Sequence, residues 1–209
     1  MTAYLVPAGF GEAELIEKRS RFIGQVWRTD TEAEALNRLR ETRERHRGAA
    51  HNVYAYIIRE NHITRYSDDG EPGGSSGQPT LNVFAAGEIT NVCCIVTRYF
   101  GGTLLGLGGL TRAYARAAKL ALDAAGIARM AQWRQLTVSC AYALYERTGR
   151  LLEIYEAQVS DTRFGTDVVI DILLREDRAD SFIEKLADLS NGRALCESAG
   201  SRFLGARID

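Results

Sequence analysis

Val92 to Tyr99 (VCCIVTRY) is a continuous apolar run with no alternation, and it narrows the choice of folds more than any other segment. A strand that is apolar on both faces must be covered on both, so the run predicts the middle of a sheet and not its edge. Glycine-rich stretches lie on both sides of it. Ten of the 20 glycines and two of the three prolines fall between Asp68 and Gly109. Glycine costs backbone entropy, so such a concentration marks turns or close approaches that other residues cannot make.

Around this run the first half reads as strands and helices in mixed order. Glu12 to Lys18 and Arg21 to Arg28 are strand-like. A helix is expected from about Thr31 to His46, with Thr31 and Glu34 at capping-box spacing, Leu36 and Leu39 as its apolar stripe and Gly48 ending it. His51 to Arg59 and Ile63 to Tyr66 are rich in aromatic and β-branched residues and read as strands. Ser67 to Pro79 reads as loop throughout. Thr80 to Glu88 is expected as a short helix, with a strand as the alternative, and Leu110 to Ala125 as a helix stopped by Gly126.

The second half has a cleaner rhythm. Leu136, Val138 and Cys140 alternate as a strand, and Leu144, Thr148, Leu151, Leu152 and Tyr155 mark one helical face. Val159 to Arg163 and Asp167 to Leu174 flank Phe164-Gly165 as a hairpin. Phe182, Ile183, Leu186 and Leu189 mark a second helix, closed by Asn191-Gly192, and Ala194 to Phe203 is a last strand. The order βαββαβ is the ferredoxin-like plan. The 209 residues therefore divide into an N-terminal domain, 1–130, and a C-terminal domain, 131–209, in an α+β chain.

Composition limits the function. No apolar run reaches the length of a membrane span, and the N-terminus lacks a secretion signal, so a cytoplasmic protein without membrane contact is expected. The four cysteines form no CxxC pair, and adjacent Cys93 and Cys94 would point to opposite faces of a strand. Buried thiols are expected, with no metal and no cofactor. There are 16 basic against 14 acidic residues up to residue 130, then 10 against 13. Neither half is a polycation, and nucleic-acid binding would have to rest on a local patch.

Two segments carry candidate chemistry. Asp68, Asp69 and Glu71 crowd three carboxylates into one turn. They read either as a solvated turn, with Asp side chains bonded to the backbone, or as a divalent-metal or acid/base site. The second segment runs from Thr97-Arg98 through Gly101-Gly102 and Gly108-Gly109 to Arg112. A strand feeds a glycine-rich turn that opens a helix, where free N–H groups and the helix dipole attract anions. Arg112, Arg116 and Lys119 fall on one helical face, and Lys18 with Arg21 would extend the basic surface. The alternative is that the glycines serve close packing and the cations form the wet face of an amphipathic helix. His51 reads as a base or as a half-buried hydrogen-bonded residue, and Ser75, Ser76 and Thr80 have no identifiable base partner.

The strings YSDDGEPGGSSGQPTLNV (residues 66–83) and VTRYFGGTLLGLGGLTRAYARAAKLAL (residues 96–122) resemble the signature of the IMPACT family, and the whole chain resembles its bacterial, YigZ-like members. Lys18 with Ser20-Arg21-Phe22-Ile23, and His51-Asn52 with Tyr54-Ala55-Tyr56, look like that family's upstream blocks. The resemblance implies an N-terminal ribosomal protein S5 domain 2-like fold, a four-stranded sheet with helices on one side. It implies a C-terminal domain similar to the ferredoxin-like domain of elongation factor G. It also implies a role linked to translation, by contact with RNA or a ribosome-associated protein and without catalysis. Because small-molecule kinases of the GHMP type share the S5-like fold, a phosphate-binding enzyme using Asp68, Asp69 or Glu71 is the alternative, although Gly109-Leu110 replace the serines of their GLGSS turn.

Overall fold

The structure is a computed structural model that describes residues 3–208. It forms two compact units, one of residues 4–129 with 205–208, the other of residues 130–204 with residue 3. Both carry antiparallel sheets, and among the described residues no helix is long and apolar enough to cross a membrane.

In the N-terminal unit the strands are β1 (Tyr4–Pro7), β2 (Gly11–Glu17), β3 (Ser20–Arg28), β4 (His51–Ile58), β5 (Ile63–Ser67) and β6 (Val92–Tyr99). The helices are α1 (Glu32–Arg45), α2 (Gly77–Ala86) and α3 (Leu107–Ala125). The main sheet has the order β2-β3-β6-β4-β5, so the unbroken apolar run does occupy its centre. The pleat sends Cys94 and Val96 to a core shared with Phe84 of α2 and Ala113, Tyr114 and Ala117 of α3. It sends Cys93 and Ile95 to a second core with Ala35 and Leu39 of α1.

That arrangement corrects the expected sheet of four strands with helices on one side. There are five strands, and α1 covers the opposite face. The stripe of α1 is also not the expected one, because Leu39 is buried beside Ala35 and Thr42 while Leu36 is half exposed. The Thr31 Oγ1 accepts from the Glu34 N–H at 3.3 Å, but the Glu34 carboxylate accepts from the Asp30 N–H at 2.9 Å, one residue before the usual capping-box donor.

α3 lies close to the sheet along a seam of small residues. A Cβ built on Gly24 would stand 2.4 Å from the Ala117 carbonyl oxygen, and one on Gly11 would stand 2.2 Å from that of Ala121. Any side chain at either position would push the helix off the strands. The β2–β3 connection is a two-residue turn, Lys18-Arg19, in which both residues have positive φ (44° and 69°). Such a hairpin turn is ordinarily made by Asn-Gly or Asp-Gly.

The C-terminal unit is built from β7 (Ile127–Cys140), α4 (Tyr142–Ile154), β8 (Gln158–Phe164), β9 (Val168–Arg175), α5 (Glu176–Ser190) and β10 (Leu195–Arg207). β7 pairs with β9, which pairs with β8, while β10 also pairs with β7. Val168, Ile170, Ile172 and Leu174 are all buried against Leu144, Leu151, Leu152, Phe182 and Leu186, so the alternation in β9 and the two helical stripes meet in one core. Asn191 closes α5 in the left-handed conformation.

Candidate functional site

The loop after β5 is shaped by its carboxylates. Asp68 accepts from the N–H groups of Gly74 (2.8 Å), Ser76 (3.0 Å) and Gly77 (2.8 Å), so it caps α2 from eight and nine residues upstream. Burial alone would raise its pKa, but these donors outweigh it and hold the carboxyl below its ordinary value. With that cap in place α2 begins at Gly77, and Pro79 sits in its first turn, where proline is tolerated. The loop therefore ends three residues before the expected boundary at Pro79. Asp69, itself at positive φ, accepts from Arg43 at 2.5 Å and from the Asn52 N–H at 2.7 Å. Ser75 donates to the Pro72 carbonyl and Thr80 to the Ser76 carbonyl, so both hydroxyls serve the turn.

Glu71 points inward. Its Oε1 accepts from Arg98 Nη1 at 2.6 Å and from the Tyr114 hydroxyl at 2.7 Å, and His51 Nε2 lies 3.8 Å away. Burial, followed by the bond to Glu71, pushes the Tyr114 phenol well above its ordinary range. The His51 Nδ1 is 2.8 Å from the Asp69 carbonyl oxygen. A carbonyl can only accept, so Nδ1 carries the hydrogen. Together the β4 start, the 68–76 loop and the entry to α3 surround a cavity of about 530 Å³. His51, Glu71 and Arg98 are among its lining residues, as are Phe100, Leu104 and Leu107. The last three side chains are exposed at its rim.

The basic face predicted from spacing is only partly assembled. Arg98 does not belong to it: the side chain is 6% exposed, spent on Glu71 and Ser20, and flanked by the rings of Phe22 and Phe100. Gly101 serves packing, since a Cβ there would fall 2.0 Å from the Arg19 carbonyl carbon. Gly102 turns the chain at φ +82°. Lys119 is paired with Asp123, and Arg21 with Glu14 at 2.8 Å. Lys18, Arg112 and Arg116 do converge, with Gly109 and Leu105, on a cleft of about 220 Å³ whose one acidic member is Glu17. None of the three cations has a carboxylate partner among the described residues. Gly108 is open to solvent beside them in the first turn of α3, which begins three residues earlier than the sequence suggests. Tyr114 and the apolar rim of the cavity escaped the sequence reading, because a phenol in a helix and leucines in a turn carry no local sign of a site. Among the described residues no group of three or more His, Cys, Asp or Glu is placed to hold a metal ion.

Residues 18–122, which contain the whole of this site, match the Impact N-terminal domain. The chain also aligns over 99% of its length, at 33% identity, with 96% of the IMPACT family member YvyE of Bacillus subtilis. The chain belongs to the IMPACT family. The IMPACT family member YigZ of Escherichia coli is 29% identical over 92% of this chain and 96% of its own. Residues 138–193 match a domain of unknown function, DUF1949, which is the α4–α5 unit. A crystal structure of a hypothetical protein superposes with a TM-score of 0.60 at 29% identity, covering 94% of this chain and 97% of that one. In this IMPACT family chain the two glycine-rich strings thus meet in three dimensions, one supplying Glu71 and the other Arg98, Tyr114 and the Arg112 and Arg116 of the cationic cleft.

Proposed function

We propose that this chain is a non-enzymatic binding protein linked to translation, which contacts single-stranded RNA through the cleft of Lys18, Arg112 and Arg116. The observation that carries the reading is the convergence of three cations, without a carboxylate partner among the described residues, on the exposed first turns of α3, whose N–H groups have no side-chain cap among those residues. Phosphates are held by this combination of point charges and free amides. Asp68 and Asp69 are saturated by internal bonds and Glu71 is buried in an ion pair, so the phosphate-binding-enzyme alternative has no uncommitted carboxylate to use as an acid. A ribosome-associated protein is the second reading, favoured by exposed Leu104 and Leu107. We read the C-terminal unit as ferredoxin-like because its strands run β8-β9-β7-β10. The N-terminal unit we read as S5 domain 2-like, with α2 and α3 on one face and α1 added on the other.

The test is the affinity of short single-stranded RNA, followed by fluorescence anisotropy at two salt concentrations. Three phosphate contacts to a single strand predict a log–log salt slope of roughly −2. Arg112→Glu with Arg116→Glu should abolish binding without lowering the unfolding midpoint. Equal binding by the double variant would remove the cleft from the interface. Binding of ribosomal protein without RNA would favour the second reading.

A further inference from the structure

The cavity beside the cationic cleft is apolar in effect, although ionisable residues line part of it. Glu71 Oε1 already accepts from Arg98 and Tyr114. The Glu71 and Arg98 side chains are 3% and 6% exposed, so they show the cavity almost no polar surface. His51 spends its Nδ1 on the Asp69 carbonyl. The rest of the lining includes Pro72, Phe100, Leu104, Leu105, Leu107 and Leu110. A volume of about 530 Å³ is ample for one large side chain or a small ligand.

The rim says more about the occupant than the interior does. Phe100, Leu104 and Leu107 are 51%, 81% and 63% exposed, and from Phe100 to Gly109 the chain carries no charged residue. Large apolar side chains gathered on a surface in this way mark a contact with another molecule. A small molecule filling the hollow would leave Leu104 in water, so the occupant must reach beyond the cavity and cover its rim. A nucleobase fits poorly, because it would bury the N–H and carbonyl groups of its edge against walls with few free partners. A protein segment meets both demands, with one side chain inside and its backbone across the rim. Charge narrows the choice further. Leu105 lines both this cavity and the cleft of Lys18, Arg112 and Arg116, so residues flanking the anchored side chain lie beside cations without a carboxylate partner among the described residues. The potentials match when those flanking residues are acidic.

We propose that the cavity seats one bulky apolar side chain of a protein segment whose flanking carboxylates lie in the cationic cleft, so that this acidic partner and RNA exclude one another. The anchor supplies affinity by leaving water together with Leu104 and Leu107, and the carboxylates supply orientation. The competition rests on the RNA reading above, whereas the docking site does not.

The probe is a displayed library of short random peptides, selected on the full chain. Selected sequences should share a leucine, phenylalanine or tryptophan with Asp or Glu close by, and alanine in place of that anchor should abolish binding. Leu104→Ser and Leu107→Ser should each weaken the best peptide roughly tenfold or more, the scale on which interface anchors act. Both positions are exposed, so the unfolding midpoint and the affinity for short single-stranded RNA should not move. Arg112→Glu with Arg116→Glu should weaken peptide and RNA alike, and saturating RNA should displace the peptide. Selected sequences without an apolar anchor, or selection no stronger than on the Leu104→Ser chain, would overturn the docking site and leave the RNA reading standing. A fall in RNA affinity with Leu104→Ser would put nucleic acid on the rim and overturn a protein occupant. Self-association of the chain alone, abolished by Leu104→Ser, would give the rim to a second copy and overturn it as well. If the peptide binds as described and no RNA binds, the RNA reading fails and the docking site stands.

Discussion

Arg98 and Glu71 form a buried ion pair at 2.6 Å, tying the end of β6 to the loop that follows β5. The side chains are 6% and 3% exposed, so neither charge has water to fall back on. Removing one partner of such a pair costs about 3–5 kcal/mol, whereas replacing both with apolar residues of similar volume costs much less. Arg98→Met should therefore destabilise the N-terminal unit by that amount in urea denaturation. Arg98→Met with Glu71→Leu should recover part of the loss. A single variant costing under about 1 kcal/mol would show that the pair is not desolvated as described.

Asp68 predicts an acid-sensitive loop. Its pKa is depressed in the folded chain by the Gly74, Gly77 and Ser76 N–H groups, which overcome the opposing effect of burial. A depressed carboxyl stabilises the fold fully above its unfolded value of 3.8 and loses that contribution as pH falls through the folded value. Asp68→Asn should cost about 1 kcal/mol at neutral pH, the scale of a lost helix cap. It should also flatten stability between pH 5 and pH 2, roughly the window a carboxylate controls. An unchanged acid limb in thermal melts would count against the cap.

Gly24→Ala should cost roughly 1–3 kcal/mol or more, because its Cβ meets the Ala117 carbonyl at 2.4 Å and backbone cannot step aside as a side chain can. Gly48→Ala is the matched control. Its Cβ would meet nothing within 4 Å and its φ is not left-handed, so the change should be neutral or stabilising by about 0.5 kcal/mol. Equal effects from the two substitutions would mean that α3 does not lie as close to β3 as described.

Thiol chemistry separates the two faces of β6 from the surface. Burial pushes the Cys93 pKa up to about 12 and that of Cys94 well above the ordinary range, and Cys140 is buried as well. Cys196 is half exposed, with a smaller rise caused first by burial. A disulfide reagent at pH 8 should modify Cys196 first, and the other three only after unfolding. Rapid reaction of two or more thiols in the native chain would contradict the buried central strand.

Much of this architecture could be read from local pattern. The bounds of β6 are legible because a run with no apolar–polar alternation has few places to go, and β9 with its helices follows from the alternation of Val168, Ile170, Ile172 and Leu174. What could not be read depended on partners far along the chain. α2 starts at Gly77 because Asp68 reaches forward to cap it. Arg98 looked like a surface cation before a glycine turn, and only Glu71, 27 residues away, makes it an internal one. Gly101 looked like part of an anion loop, while its actual constraint is the Arg19 backbone, 82 residues earlier. The second face of the sheet stayed hidden because α1 buries an alanine and a threonine beside only one of its two leucines.

Lys18 and Arg19 make their hairpin turn in the left-handed region, which disfavours any side chain by about 1–2 kcal/mol per residue. Asn-Gly in their place would relieve that penalty and withdraw a cation from the cleft in the same step. A selection for heat resistance would enrich such variants and, on the proposed RNA reading, discard binding without ever encountering a ligand. If the proposed phosphate contact holds, stability and affinity in this chain are traits to be screened separately, and the most thermostable hairpin should be the poorest binder.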